Sequence, residues 1–114
     1  MRALLASTVI LGLTIPALAH HGWGPYDADS PLTISGPIDT LVLQNPHGEM
    51  TVAHDGEPWL ITLAPLSRMT ARGATADIVK TGEAVVAYGY PRRDGTKEIR
   101  AEWIEIGGQR FQLR

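Results

Sequence analysis

The sequence predicts an all-β domain over residues 32–114, on three observations. Apolar side chains recur at every second position, the period of a strand with one buried face. These alternating positions are Met50, Val52, Trp59, Ile61 and Leu63. The pairs Asp55-Gly56 and Asp94-Gly95 are typical of tight hairpin turns. Only one stretch, residues 65–72, clearly departs from the alternation, so one short helix is expected.

The first strand is predicted to bend. Its early apolar positions share one face; they are Leu32, Ile34 and Ile38, with Gly36 in the same phase. After Gly36-Pro37 the apolar phase moves to Leu41 and Leu43. A straight strand cannot bury both sets in one core, so a bulge or strong bend is expected beside this Gly-Pro pair.

The later elements follow from turn and breaker residues. Residues 45–48 read as a turn and residues 65–72 as a helix that Gly73 ends. Residues 75–80 are expected to form a short helical turn, and residues 83–90 a strand. A hairpin then leads to a strand with Ile99, Ala101 and Trp103 on one face, and Gly107-Gly108 turns the chain into a last strand with Phe111 and Leu113.

This order favours a small β-barrel of the OB type. Three strands precede the helix and two or three follow it, so the helix lies between strands three and four. A bent first strand and a helix at that position are typical of this Greek-key barrel. A plain antiparallel sandwich is the alternative.

Residues 1–19 have the features of a cleaved secretion signal. Arg2 is followed by an apolar run to Ile15, by Pro16 and by Ala17-Leu18-Ala19, an A-x-A cleavage signature. The run is shorter than the roughly 20 residues that span a bilayer. We therefore expect a periplasmic or secreted protein that starts at His20 and has no transmembrane segment after cleavage. An uncleaved N-terminal anchor helix is the alternative.

The mature chain is small, mildly acidic and free of cysteine. Cleavage of the 114-residue sequence leaves 95 residues, with nine basic and twelve acidic side chains, a net charge of −3 with histidine neutral. That charge argues against a general nucleic-acid binder, and the lack of cysteine excludes disulfides and thiolate metal sites. No nucleophile elbow, phosphate-binding loop or paired carboxylates are found, so an enzyme is not favoured.

The histidines predict a metal site. Residues 20–31 read as an irregular arm, and cleavage before His20 would give that residue a free α-amine that can chelate one ion together with its own ring. Such an amine has a pKa of about 7.7–8.0, low enough to act as a ligand near neutral pH. His47 would supply a third nitrogen, with His21 as its substitute, and copper is the preferred metal.

Less specific roles compete with this site. The N-terminal histidines can be plain polar residues, and His47 can hydrogen-bond to the backbone of its turn. His54 is expected to be an exposed residue at a strand end. Trp23 and Tyr26 are expected to pack the arm onto the barrel, with a contact to a substrate or partner as the alternative.

Four basic residues surround the Asp94-Gly95 hairpin. They are Arg92, Arg93, Lys97 and Arg100. The corresponding loop of OB-folds often contacts oligonucleotides or saccharides. Here alternating charges follow the turn, which favours an ordinary solvated face over an anion site.

The chain resembles a known family. The resemblance rests on the His20-His21 start, the Asn45-Pro46-His47 turn, and the segments 67–73 and 82–90. These features resemble an uncharacterised family of short exported bacterial proteins and cover essentially the whole mature chain. The resemblance implies an exported location and a small domain, with no activity.

Two classes of function follow from the sequence. The first is an exported copper-binding protein for storage, delivery or tolerance. The second is a metal-free OB-type module that binds a periplasmic peptide, glycan or envelope protein. A copper oxygenase is disfavoured because a 95-residue chain leaves little surface for a polymeric substrate.

Overall fold

The computed structural model describes residues 23–114. The predicted signal, its cleavage site and the predicted ligands His20 and His21 lie outside the described residues. In chain order the elements are β1 Leu32–Pro37, β2 Thr40–Val42, β3 Glu49–His54, β4 Glu57–Thr62, α1 Leu66–Ala71, β5 Ala84–Pro91, β6 Glu98–Ile106 and β7 Gln109–Gln112.

All of these strands belong to one sheet. Its order is β1-β5-β6-β4-β3-β2, and β7 pairs with β6 beside this path. Neighbouring strands are antiparallel except β4 and β6, which are parallel. The all-β prediction is confirmed. The hydrogen-bonded ladder is not closed between β1 and β2, so a closed barrel of the OB type is not confirmed.

The first strand is broken beside Gly36-Pro37. Strand β1 pairs with β5 and strand β2 with β3. The change of partner occurs over two residues: the Ile38 amide donates to Glu83 O at 2.9 Å and the Asp39 amide to Thr51 O at 2.9 Å. Residues on either side of the break therefore face different parts of one core, which explains the shift of apolar phase.

Helix α1 lies between β4 and β5, which are the third and fourth predicted strands because the predicted first strand is divided into β1 and β2. Gly73 adopts φ +83°, and its amide donates to Thr70 O at 3.0 Å while the Ala74 amide donates to Met69 O at 2.9 Å. These two bonds satisfy the last carbonyls of the helix, a role that favours glycine. Residues 75–80 contain the short helical turn that the sequence predicts, since the Ile78 and Val79 amides both donate to Thr75 O, at 3.0 and 2.8 Å.

The prediction for one residue of β6 is wrong. Ile99 and Ala101 point into the core, as expected, but Trp103 lies on the outer face. The register between β5 and β6 shifts between Tyr88 and Gly89, so that Glu102 is an extra residue in β6. The bulge changes the phase, and Ile104 and Ile106 replace Trp103 in the core.

One apolar core fills the space between the sheet and α1. It contains side chains from every strand except β2, and from the helix and the turn that follows it. Its largest fully buried members are Phe111, Ile34, Ile38, Met50, Ile61, Leu63, Met69, Ile99, Ile104 and Leu113. Among the described residues, no helix has the length and hydropathy that crossing a bilayer would require.

Candidate functional site

The segment before β1 is fixed to the hairpin between β5 and β6. The Asp27 amide donates to Pro91 O at 2.8 Å, and the Arg93 amide donates to Pro25 O at 2.8 Å. Tyr26 is 7% exposed, and its hydroxyl donates to the Glu98 carboxylate. The part of the predicted arm that is described therefore packs on the sheet, as expected for its two aromatic residues.

Trp23 lies at the centre of this contact. Its ring meets those of Tyr26 and Tyr90 edge-on, at centroid distances of 6.5 and 5.8 Å. The guanidinium carbons of Arg100 and Arg114 lie 4.5 and 4.7 Å from the ring centroid. Each such cation–π contact contributes about 0.5–2 kcal/mol, so Trp23 is held on the outer face over β6.

A row of registered residues leads from Arg100 toward the turn at residues 45–48. Glu49 of β3 pairs with Thr62 of β4, and Thr62 pairs with Arg100 of β6. Paired residues share one face of a sheet, here the face opposite to the buried Ile61 and Ile99. Because neighbouring strands lie about 4.8 Å apart, the backbones of Glu49 and Arg100 are roughly 10 Å apart.

His47 lies at the end of this row. Its Nδ1 is 3.8 Å from Glu49 Oε1, and the side chain is 32% exposed. That Nδ1 is buried and has no hydrogen-bond partner within residues 23–114. The backbone bond expected for His47 as an alternative to metal binding is therefore not formed at this nitrogen.

The turn that carries His47 is held on both sides. The Gly48 amide donates to Ala64 O at 3.0 Å, and the Leu63 amide donates to Gly48 O at 2.8 Å. On the other side, Asn45 Oδ1 accepts the Leu66 amide at 3.1 Å. These bonds fix the backbone on both sides of His47, next to the start of β3.

Within the described part of the chain, no three histidine or carboxylate side chains come together closely enough to hold a metal ion. His47 and Glu49 are a pair, with Nδ1 and Oε1 3.8 Å apart. The other two predicted ligands, His20 and His21, lie outside the described residues. His54 sits at the far end of β3, with Nε2 3.5 Å from Asp55 Oδ2 and its ring edge-on to Trp59 at 5.6 Å. It ends β3, as expected, but its side chain is only 25% exposed, less than the sequence predicts.

Three of the four basic residues around the β5–β6 hairpin form salt bridges within residues 23–114, and Arg100 does not. Arg92 contacts Asp94 at 3.3 Å and Glu98 at 3.7 Å, Arg93 contacts Asp27 at 3.8 Å, and Lys97 pairs with Glu57. The Thr96 hydroxyl and amide, and then Arg92, hold the pKa of the Asp94 carboxyl below its ordinary value. The hairpin thus carries its own counter-charges.

The sequence does not indicate the other aromatic residues of the outer face. Tyr88 stacks on Trp103 at 5.3 Å, and the Arg110 guanidinium lies 3.7 Å from the centroid of the Trp103 ring. Because the bulge in β6 changes which residues face outward, the alternation of apolar residues in the sequence does not predict this pair. The Gly89 that follows Tyr88 is a signal that could have located the bulge, because interior strand glycines often mark one.

Comparisons with known proteins give one finding. No curated protein matches the chain. Residues 8–100 match the model of the Family of unknown function (DUF6152), in agreement with the expected uncharacterised family. Because that match covers most of the sequence, the chain belongs to this family of unknown function.

Proposed function

We propose that this is an exported copper-binding protein that holds one Cu²⁺ through the mature N-terminus and a loop histidine. The ligands are the His20 amine, the His20 ring and the His47 ring, and His21 is the substitute for His47. The signal features of residues 1–19 support export to the periplasm. The function would be storage, delivery or tolerance of copper.

The position of Trp23 is the observation that carries this proposal. Trp23 is held against Arg100, two strands away from Glu49 and therefore close to His47. His20 precedes it by three positions in sequence, and an extended chain covers roughly 10 Å over three positions. That span equals the backbone distance between Arg100 and Glu49, so the proposed ligands are within reach of one another.

The surroundings of His47 support a metal at its Nε2. Nδ1 is buried, while the side chain as a whole is 32% exposed. The exposed part therefore includes the opposite edge of the ring, where Nε2 could bind a metal ion. A metal at Nε2 leaves the proton on Nδ1, facing the Glu49 carboxylate. Carboxylates in this position orient metal-bound imidazoles and make them more basic.

The first experiment uses protein recovered from the periplasm, with its start at His20 verified by intact mass. Copper binding is measured by calorimetry and by electron paramagnetic resonance. We expect one ion per chain. One added residue before His20 displaces the chelate, and His47→Ala removes the third nitrogen, so each should weaken binding by about tenfold or more and change the spectrum.

Two further variants make this test specific. His54→Ala is the matched control and should bind copper like the wild type. Glu49→Gln should weaken binding by about tenfold, the lower end of the effect expected of a group that orients a ligand. If the extended protein and His47→Ala both bind as tightly as the wild type, the proposed site is wrong.

In that event a metal-free interaction module becomes the better account. The outward-facing stack of Tyr88, Trp103 and Arg110 favours this second function. Exposed aromatic and arginine side chains are enriched where proteins bind partners. Loss of partner capture in Trp103→Ala, with no effect of His47→Ala, would identify it.

A further inference from the structure

Three arginines from three different elements converge beside Trp23. Arg68 belongs to α1, Arg100 to β6, and Arg114 follows β7. Arg100 and Arg114 both contact the Trp23 ring, at 4.5 and 4.7 Å. Arg68 reaches the same place, because its Nη1 donates to Leu113 O, one residue before Arg114, at 3.3 Å. We call Arg68, Arg100 and Arg114 the arginine cluster.

The cluster lacks the counter-charges that the other arginines of this face have. Within residues 23–114, none of its three guanidinium groups forms a salt bridge, whereas Arg92 and Arg110 each do. The nearby carboxylates keep their negative charge but have other partners: Glu98 accepts the Tyr26 hydroxyl, and Glu102 accepts the Tyr90 hydroxyl. Three guanidinium groups therefore meet with no carboxylate in salt-bridge contact with any of them in the described part of the chain.

The convergence has an electrostatic cost. The pKa of Arg100 lies below its ordinary value, first because the group is partly buried and also because Arg68 and Arg114 repel it; Tyr26 and Glu98 act in the opposite direction. Like charges brought together in this way destabilise the folded chain, and such arrangements are concentrated at functional sites. A bound anion would remove the repulsion.

We propose that the arginine cluster is a binding site for a phosphate group. Guanidinium groups present paired N–H donors that match the oxygens of phosphate, and three of them from separate elements can surround one tetrahedral anion. The Trp23 ring beside them offers an apolar surface to the organic part of a phosphate ester. The site uses none of the proposed copper ligands and does not depend on copper.

The test is a titration of the metal-free mature protein with inorganic phosphate, in the presence of a chelator and at constant ionic strength. The chain is kept without a C-terminal tag so that Arg114 stays unmodified. Saturable one-to-one binding is expected, followed by calorimetry and by amide shifts around Trp23. Arg68→Gln and Arg114→Gln, both at exposed positions, should each weaken it by about tenfold.

Arg110→Gln is the matched control. It removes the same charge from the same face and also breaks a contact with a tryptophan, but Arg110 is paired with Glu105. It should leave phosphate affinity unchanged. Equal weakening by all three variants would show a general charge effect and overturn the proposal, as would the absence of saturable binding in the wild type.

The source of the phosphate group is decided with vesicles. Vesicles of phosphatidylglycerol are compared with vesicles of phosphatidylcholine by co-sedimentation. Binding to the first alone, lost in Arg68→Gln and kept in Arg110→Gln, assigns the site to a lipid headgroup. Phosphate binding without co-sedimentation assigns it to a soluble phosphate compound. Because chelator is present throughout, failure of this proposal leaves the copper proposal standing.

Discussion

Trp23 joins the N-terminal segment to the sheet through contacts of several kinds. Two guanidinium groups lie close to its ring, and two tyrosine rings meet it edge-on. These interactions are individually small, but they act on one side chain from different directions. Trp23 therefore occupies a defined position on the outer face of the sheet.

Replacing this ring should affect copper binding at a distance. Trp23→Ala removes the contact that attaches the start of the mature chain to Arg100. Copper binding must then also order that segment, which costs conformational entropy. We expect copper affinity to fall by about tenfold. Calorimetry on the two proteins measures the change.

Trp103→Ala is the control for this substitution. Trp103 lies on the same outer face and also contacts an arginine and a tyrosine. Its removal should leave copper affinity unaltered. Equal losses in both variants would mean that the contact between Trp23 and Arg100 does not position the ligands.

Two tyrosines should make stability depend on alkaline pH. Burial, and then the hydrogen bond to Glu98, raises the pKa of Tyr26 above 10.0. The hydrogen bond to Glu102, and then burial, raises the pKa of Tyr90 above 10.0. Both contributions are complete below pH 10, the pKa of the unfolded chain, and are lost as the pH rises through the higher folded values.

Denaturant unfolding between neutral pH and about pH 11 measures this loss. Tyr26→Phe should be less stable than the wild type at pH 7, by about 1–2 kcal/mol, and its stability should fall less steeply above pH 10. Tyr88→Phe keeps the stacked ring and serves as control. A wild-type stability that is constant through this range would contradict the assignment of both hydrogen bonds.

At the level of elements, the bulge between β5 and β6 controls which side chains face outward. It gives β6 one extra residue and sends Trp103 to the outer face while Ile104 and Ile106 stay in the core. Gly89 permits this arrangement because a Cβ atom there would collide with the Arg100 carbonyl and lie 2.9 Å from Ala101 Cα. The stack of Tyr88 and Trp103 exists because the register changes beside it.

Gly89→Ala should therefore destabilise the domain. The added methyl meets backbone on the facing strand, which cannot move aside as a flexible side chain would. We expect a loss of about 3 kcal/mol and a melting temperature lower by roughly 10 °C or more. Gly24→Ala is the control, since nothing lies within 4 Å of a Cβ atom there. A melting temperature of Gly89→Ala within a few degrees of the wild type would exclude this account of the bulge.

At the scale of the whole molecule, acidic side chains outnumber basic ones, and part of the positive charge is paired locally. The mature chain would carry nine basic and twelve acidic side chains, and the basic hairpin is paired with neighbouring carboxylates. Long-range attraction of a polyanion depends on unpaired positive charge over an extended surface. Here five basic side chains form no salt bridge within residues 23–114: the three of the arginine cluster, and Arg72 and Lys80.

This arrangement predicts weak binding of nucleic acid. Single-stranded DNA should bind with a dissociation constant well above 1 µM at physiological salt, a value typical of non-specific contacts or weaker. Fluorescence anisotropy with a labelled oligonucleotide measures it. Tight, salt-sensitive binding that is lost on changing Arg92 and Arg93 to glutamine would contradict the pairing argument.

The two parts of the proposed copper site, His20 and His47, differ in how much of their role can be predicted from the sequence. The chelating potential of a terminal histidine follows from its chemistry alone, so His20 needs no fold to be a candidate. The surroundings of His47 depend on the fold, because Glu49 faces it and the Ala64 carbonyl and Leu63 amide hold the turn. The arginine cluster was not predictable, since Arg68, Arg100 and Arg114 are remote in sequence.

The all-β class, most turn positions, helix α1 with its Gly73 end and the break in the first strand could all be predicted from the sequence. These features depend on local backbone preferences and on the alternation of apolar residues, both of which can be read over a few positions. The tertiary structure decided the outward position of Trp103, the attachment of Trp23 and the meeting of three arginines. Each of these depends on which strands become neighbours and in what register, and that choice is made by packing of the whole core.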